Sequence, residues 1–305
     1  MINTKFELEG IEEFTETAFQ KKPFVFSTVH GAELLSWDDV NLLLEKDILD
    51  YPRVRLANDS NPAIRGYRGF VTYTLSVTGE AAPHVNRYSL LKNLQSGSTL
   101  IIDRCQAFFN KVMTATNYLN EKLQCRSGAN LYCAWSSIPS FGIHFDNHDV
   151  IAVQIEGSKT WDIYPPTLIY PLQTDKCFEL NPPTGKPLMS VTVSPGQAIY
   201  LPAGYWHNVS TESERSLHIS FTVIRPRKID VIKKVIDSLA KYPEMREPIA
   251  YHRDAMANSI LQGIIHSCLS QINIDDWEAA IIEDCKQGRF VKFSLPDIRT
   301  KDVSN

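Results

Sequence analysis

The chain has 305 residues, 43% of them hydrophobic and 22% charged, with a formal net charge of −4. That balance is ordinary for a globular protein and leaves room for one large domain with an appendage. It lacks the basic surplus that direct nucleic-acid binding draws on. The first residues do not follow the basic-then-apolar order of a signal peptide, and no apolar run approaches the length of a membrane span. Six scattered cysteines form no CxxC pair, which predicts reduced thiols and a cytoplasmic protein without membrane association.

In chain order, residues 8–20 carry Ile11, Phe14 and Phe19 at helical spacing, and Phe24-Val25-Phe26 reads as a short strand. Ser36 with Asp39 three positions on predicts the capped start of a second helix. Residues 67–77 are β-rich, and a helix is expected from about Asp103 to Lys122. From about 128 to 224 short strands alternate with Pro and Gly turns, the texture of an all-β barrel or jelly roll. After Pro226, residues 229–240, 248–270 and 275–287 read as helices.

The chemistry concentrates in His144-Phe-Asp146, with Lys159 further on and His207 after the turn Pro202-Ala-Gly204. Two imidazoles and a carboxylate can occupy one face of Fe(II) and leave positions open for a cosubstrate and dioxygen. His144 and Asp146 lie two apart, so on a strand they project to one face. Lys159 shares a face with Trp161 and Ile163, where a desolvated ammonium needs an anion. The far carboxylate of 2-oxoglutarate would supply it. In Ser216-Leu-His218-Ile-Ser220-Phe-Thr222 polar and apolar residues fall on opposite faces, and polar groups facing a barrel interior imply a ligand. His148 and Asp149 are expected to orient a ligand or to be structural. Trp135 and Trp206 could line a substrate pocket, although core packing is the commoner outcome.

These segments, together with Asn130-Leu-Tyr132, Gln154-x-x-Gly157-x-Lys159-x-Trp161 and Pro195-Gly196 to His207, resemble the JmjC/cupin-type 2-oxoglutarate oxygenases, and within them the ribosomal-oxygenase-like branch. The resemblance covers most of residues 10–225. It implies an α+β, mainly β protein with a double-stranded β-helix (jelly-roll, cupin) core. Residues 1–226 would form the oxygenase domain, with N-terminal α/β elements and the core at about 128–226. Residues 227–305 would form a helical region that makes a homodimer. It further implies that His144, Asp146 and His207 bind Fe(II), and that Lys159 and Tyr132 hold the distal carboxylate of 2-oxoglutarate. Asn130 would lie nearby, and Ser220 or Thr222 would line the same pocket. The implied reaction is hydroxylation of a peptide or protein side chain, with succinate and carbon dioxide as coproducts. Segment 134–142 departs from the usual Gly-rich approach to the first histidine, which leaves open, in place of a ribosomal protein, the tailoring of a peptide-derived or other small-molecule natural product. A zinc hydrolase could use the same three ligands but gives Lys159 no task, and a non-catalytic binding cupin would not need them intact.

Overall fold

The computed structural model describes residues 5–46, 48–58, 69–135 and 139–248, with a few positions between 262 and 283. Among these residues the strands are β1 (Glu7–Leu8), β2 (Phe24–Val29), β3 (Val54–Ala57), β4 (Val71–Leu75), β5 (Ala81–Val85), β6 (Thr99–Ile102), β7 (Arg126–Ala134), β8 (Asp149–Glu156), β9 (Lys159–Tyr164), β10 (Met189–Val193), β11 (Gln197–Leu201), β12 (Trp206–Thr211) and β13 (Ser216–Ile224). The helices are α1 (Ile11–Thr17), α2 (Trp37–Leu44), α3 (Arg87–Gln95), α4 (Asn110–Leu123) and α5 (Lys228–Ser238). The expected helices at 248–270 and 275–287 lie outside the described residues, apart from those few positions.

An eight-stranded sheet runs β1-β2-β11-β8-β13-β7-β6-β3, and a three-stranded sheet runs β10-β9-β12. All pairings in both are antiparallel. Together they form the jelly-roll core, and strands from before residue 100 widen its larger sheet on both flanks.

Side-chain alternation explains how the sheets stack. On β8, Ile151, Val153 and Ile155 join the outer core beneath the helices. Val150 and Ala152 turn the other way and pack with Trp161, Ile163, Val193, Ile199 and Leu201 between the sheets. A strand covered on both faces must be apolar on both, as the sequence of β8 is. The outer core gathers Phe14 of α1, Phe24, Phe26 and Tyr200, with ring centroids 4.7 to 5.5 Å from Phe14. On α4, Val112, Ala115 and Leu119 are fully buried.

Local signals mostly operate as expected. Ser36 caps α2 by accepting from the Asp39 N–H at 3.2 Å, while its own N–H donates to the Asp39 carboxylate at 2.9 Å. Two expectations need correction. The helix predicted from about Asp103 begins only at Asn110, because Arg104 sits in the left-handed region and Phe109 is extended; a 3₁₀ turn at Cys105–Ala107 fills the gap. His144 and Asp146 do not belong to a continuous strand. Only His144 pairs, through an isolated antiparallel bridge to His207.

Candidate active site

Between the two sheets lies a cavity of about 310 Å³, lined by all eight residues predicted for the site: Asn130, Tyr132, His144, Asp146, Lys159, His207, Ser220 and Thr222. They arrive from different elements. Asn130 and Tyr132 point inward from β7, Lys159 from β9 and His207 from β12, with Ser220 and Thr222 on β13. The His144 segment runs beside the entry to β12. The His144 N–H donates to the His207 carbonyl at 3.0 Å and the His207 N–H donates back at 2.7 Å.

The next link is the turn before His207. The Gly204 N–H donates to the Asp146 carbonyl at 2.9 Å. Gly204 has φ +89°, and a Cβ there would meet the Leu168 carbonyl oxygen at 2.5 Å. Both demands are met by glycine alone. The acidic Asp149 pins the same turn from below, accepting from the Ala203 N–H at 2.8 Å and the Tyr200 hydroxyl at 2.6 Å. Asp149 is thereby structural, and burial raises its pKa.

His144, Asp146 and His207 are the one group of potential metal ligands found among the described residues, with donor atoms all within 4.8 Å of one another. Each imidazole is oriented by a main-chain carbonyl: His144 Nδ1 lies 2.9 Å from the Gly142 oxygen and His207 Nδ1 3.1 Å from the Tyr205 oxygen. A carbonyl only accepts, so Nδ1 carries the hydrogen and Nε2 presents its lone pair. His207 Nε2 is 3.8 Å from the Asp146 carboxylate, too far for a hydrogen bond. Burial would raise the Asp146 pKa, but His144, His207 and His148 outweigh it and hold it below its ordinary value. Burial and then His144 push His207 down to about 4, so it is a neutral ligand at physiological pH. Two aimed lone pairs and an ionised carboxylate form the donor set of a divalent cation with open positions.

Deeper in the cavity, Lys159 is 4% exposed. No described carboxylate lies within ion-pair distance of it. Burial lowers its pKa to about 8. A buried cation without an anion is costly, and an anionic ligand is the remedy. Tyr132 is half-buried, and desolvation raises its pKa and keeps the phenol neutral. Arg55 and Asn130 line the same cavity. Thr222 Oγ accepts from the Gly128 N–H at 2.9 Å, and Asn130 Oδ1 accepts from the Arg104 N–H at 3.0 Å.

Sequence reasoning missed Arg55 and His218 as cavity residues. Arg55, on β3, is paired with Asp103 at 2.6 Å and lies 5.8 Å from the Phe141 ring centroid. Nothing local on β3 marks it. His218 was marked by the polar alternation of β13, although no role was attached to it. His148 also lines the cavity. Trp206 packs against Phe145 and donates its indole N–H to Thr167 at 2.9 Å, and Trp135 rests on Trp37, so neither lines the cavity.

Residues 106–231 match the JmjC domain family. The chain is 26% identical over 233 residues to the bifunctional lysine-specific demethylase and histidyl-hydroxylase NO66 of Drosophila pseudoobscura pseudoobscura, covering 75% of this chain and 23% of that protein. Among solved structures it is similar to the Escherichia coli ribosomal oxygenase YcfD, with a TM-score of 0.62 at 16% identity, covering 97% of this chain and 77% of that one. The complex of YcfD with cobalt and 2-oxoglutarate aligns with a TM-score of 0.59 at 16% identity, over 91% of this chain and 72% of that one. At that identity the structural likeness establishes the jelly-roll fold.

Proposed function

With a JmjC domain at residues 106–231 as the premise, we propose that this protein is an Fe(II)- and 2-oxoglutarate-dependent dioxygenase that hydroxylates a C–H bond of a peptide or protein side chain. One observation carries the reading: an oriented His-Asp-His donor set and a buried lysine, with no ion-pair partner among the described residues, share one cavity. His144, Asp146 and His207 are the residues to hold the metal. Lys159 and Tyr132 are those to hold the distal carboxylate of the cosubstrate. Bound together, iron and 2-oxoglutarate would supply, with dioxygen as the oxidant, decarboxylation of the 2-oxo acid to succinate and carbon dioxide, with one oxygen atom going to succinate and the other into a C–H bond of the substrate.

The chain's own residues bind, orient and exclude water. The Gly142 and Tyr205 carbonyls fix the tautomer of the two histidines, which removes reorganisation on metal binding. Trp161 and Val209 on the three-stranded sheet, with Val150 on the eight-stranded one, give the cavity an apolar wall that keeps bulk water from the ligands. The charge of Lys159 compensates one carboxylate of the cosubstrate, and Asp146 compensates part of the metal's charge. Phe141, Ser140 and Arg55 line the cavity and are only half-buried, and we place the entry of a substrate side chain beside them.

A protein side chain is favoured as substrate because the NO66 relative is by name a histidyl-hydroxylase and YcfD by name a ribosomal oxygenase. We place the protein in the cytoplasm, in keeping with its buried Cys105, Cys125 and Cys133, which are in no disulfide among the described residues. We also place residues 227–305 in a homodimer contact. On α5, Val231 and Val235 face inward, while Ile229, Ile232 and Ile236 form a second apolar stripe, 37% to 56% exposed. A second copy would cover it, and light scattering on the full chain tests this by mass.

The decisive experiment is anaerobic titration of the apo-protein with Fe(II) and then 2-oxoglutarate, followed by visible absorption. A weak metal-to-ligand charge-transfer band is expected. Tight zinc binding with no such band would replace the oxygenase by a hydrolase. Mass spectrometry of candidate peptides should then show a gain of one oxygen, whereas formaldehyde release would indicate demethylation.

A further inference from the structure

His218 occupies the interior face of β13, two residues from Ser216 and two from Ser220. It is 5% exposed and lines the cavity with Lys159. Its ring stacks on Tyr132 with centroids 4.8 Å apart and planes 8° apart, and meets Trp161 edge-on at 6.3 Å. The two rings fix its plane. Its Nδ1 has no hydrogen-bond partner among the described residues. A buried polar atom without a partner is rare in folded proteins and calls for a ligand, a water or an ion. The protein therefore sets the plane of the ring but not which edge carries the donor toward the cavity. A half-turn about χ2 exchanges nitrogen and carbon positions while preserving both ring contacts.

The charge environment defines the ligand that suits this ring. Burial, and then the nearby Lys159 ammonium, keep His218 neutral, so it offers one N–H and one lone pair. Of the groups facing it, Lys159 is cationic and Tyr132 and Trp161 are neutral. An anion drawn to Lys159 would meet the neutral imidazole N–H and the Tyr132 hydroxyl on the same side of the cavity. Resting on the oxygenase reading above, we propose that His218 is a third recognition group for the dicarboxylate cosubstrate. In this role its N–H donates to the carboxylate that Lys159 neutralises, and the stack on Tyr132 aligns both donors. His218 is thus a determinant of the cosubstrate's distal carboxylate, without contact to the metal ligands.

The test is equilibrium binding to the Zn(II)-loaded full chain by calorimetry, with two probes. One is 2-oxoglutarate; the other is 2-oxobutyrate, which has the same metal-binding end and no distal carboxylate. His218→Phe keeps the ring stack and removes the N–H. It should weaken 2-oxoglutarate binding by about ten- to a hundred-fold, the range for a hydrogen bond to a charged group, and leave 2-oxobutyrate and zinc binding unchanged. His218→Asn should recover part of the loss. Equal loss for both probes, or none for 2-oxoglutarate, would overturn the assignment. In the wild-type protein, which needs no substitution, a long-range ¹H–¹⁵N spectrum should show the His218 nitrogens shifting on addition of 2-oxoglutarate; no shift in the bound state also overturns it. If wild-type protein binds zinc but not 2-oxoglutarate, the oxygenase reading itself fails. If it binds both and His218→Phe matches it, only the role of His218 fails.

Discussion

Two halves of the same interior, one strand apart, have opposite characters. On β8 and β11 the face between the sheets is Val150, Ala152, Ile199 and Leu201, packed with Ile163 and Val193, and of these only Val150 also reaches the cavity wall. On the neighbouring β13 and β7 the same face presents His218, Ser220, Thr222, Asn130 and Tyr132 to the cavity. The boundary is sharp, because Ser220 pairs with Ala152 and Thr222 with Val150 across the β13–β8 ladder. On the reverse face Ile219 and Val153, also paired, are equally apolar and fully buried. A closed half fixes the distance between the sheets, and the open half can then hold polar groups without collapsing around them. Rigidity and polarity are divided between adjacent strands, so a site can be preorganised without one residue serving both purposes.

The most severe way to break the polar half is Asp146→Ala. It removes the anionic donor, and bound iron, measured by elemental analysis, should fall to background along with turnover. The closed half responds differently. Ile199→Ala, fully buried, should cost about 2–5 kcal/mol of stability. Denaturant unfolding would read this, with metal binding in the folded protein retained. A cost below about 1 kcal/mol would mean that the closed half is not the rigid frame described here.

Lys159 sharpens the contrast, because it is the place where function and stability oppose each other. Its folded pKa of about 8 is below the ordinary lysine value, so between roughly pH 8 and 10.5 the unfolded chain binds more protons. Ligand-free stability should therefore rise with pH through that window. Lys159→Met should stabilise the ligand-free protein below pH 8 by up to about 3 kcal/mol, and at the same time greatly weaken 2-oxoglutarate binding. Thermal unfolding with and without cosubstrate separates the two, and a destabilised ligand-free variant would show that Lys159 has an anionic partner. Gly204→Ala forces a side chain into a left-handed turn and against the Leu168 carbonyl. It should cost about 1–3 kcal/mol and weaken metal binding by displacing His207, as a zinc titration would show. The smallest change is Ser220→Ala in the open half, at most about 1 kcal/mol; a loss as large as that of Ile199→Ala would erase the distinction between the halves.

Period-two alternation made β8, β9 and β13 legible, since each strand declares its two faces in its own residues. Gly157 and Gly204, with φ of +68° and +89°, likewise marked turns through the one residue that tolerates them. The HxD triplet and the later histidine could be recognised as ligand types. Their geometry could not be read, since His144 is held by a single bridge to His207 rather than by a strand. The start of α4 was missed for a related reason: Arg104 in the left-handed region carries no local signal strong enough to stop a helix.

By itself, then, the sequence determined which face of each strand is apolar, where the chain turns and which side chains are competent to bind a metal and an anion. Only the tertiary structure decided that β13 lies between β8 and β7 and that β6 joins β3 to the far edge of the same sheet. That order carries Arg55 to the cavity and stacks His218 on Tyr132. The physical reason is range. Alternation and turn chemistry act within a few residues, whereas strand order follows from long-range pairing and from burial of the outer core, which no local pattern encodes.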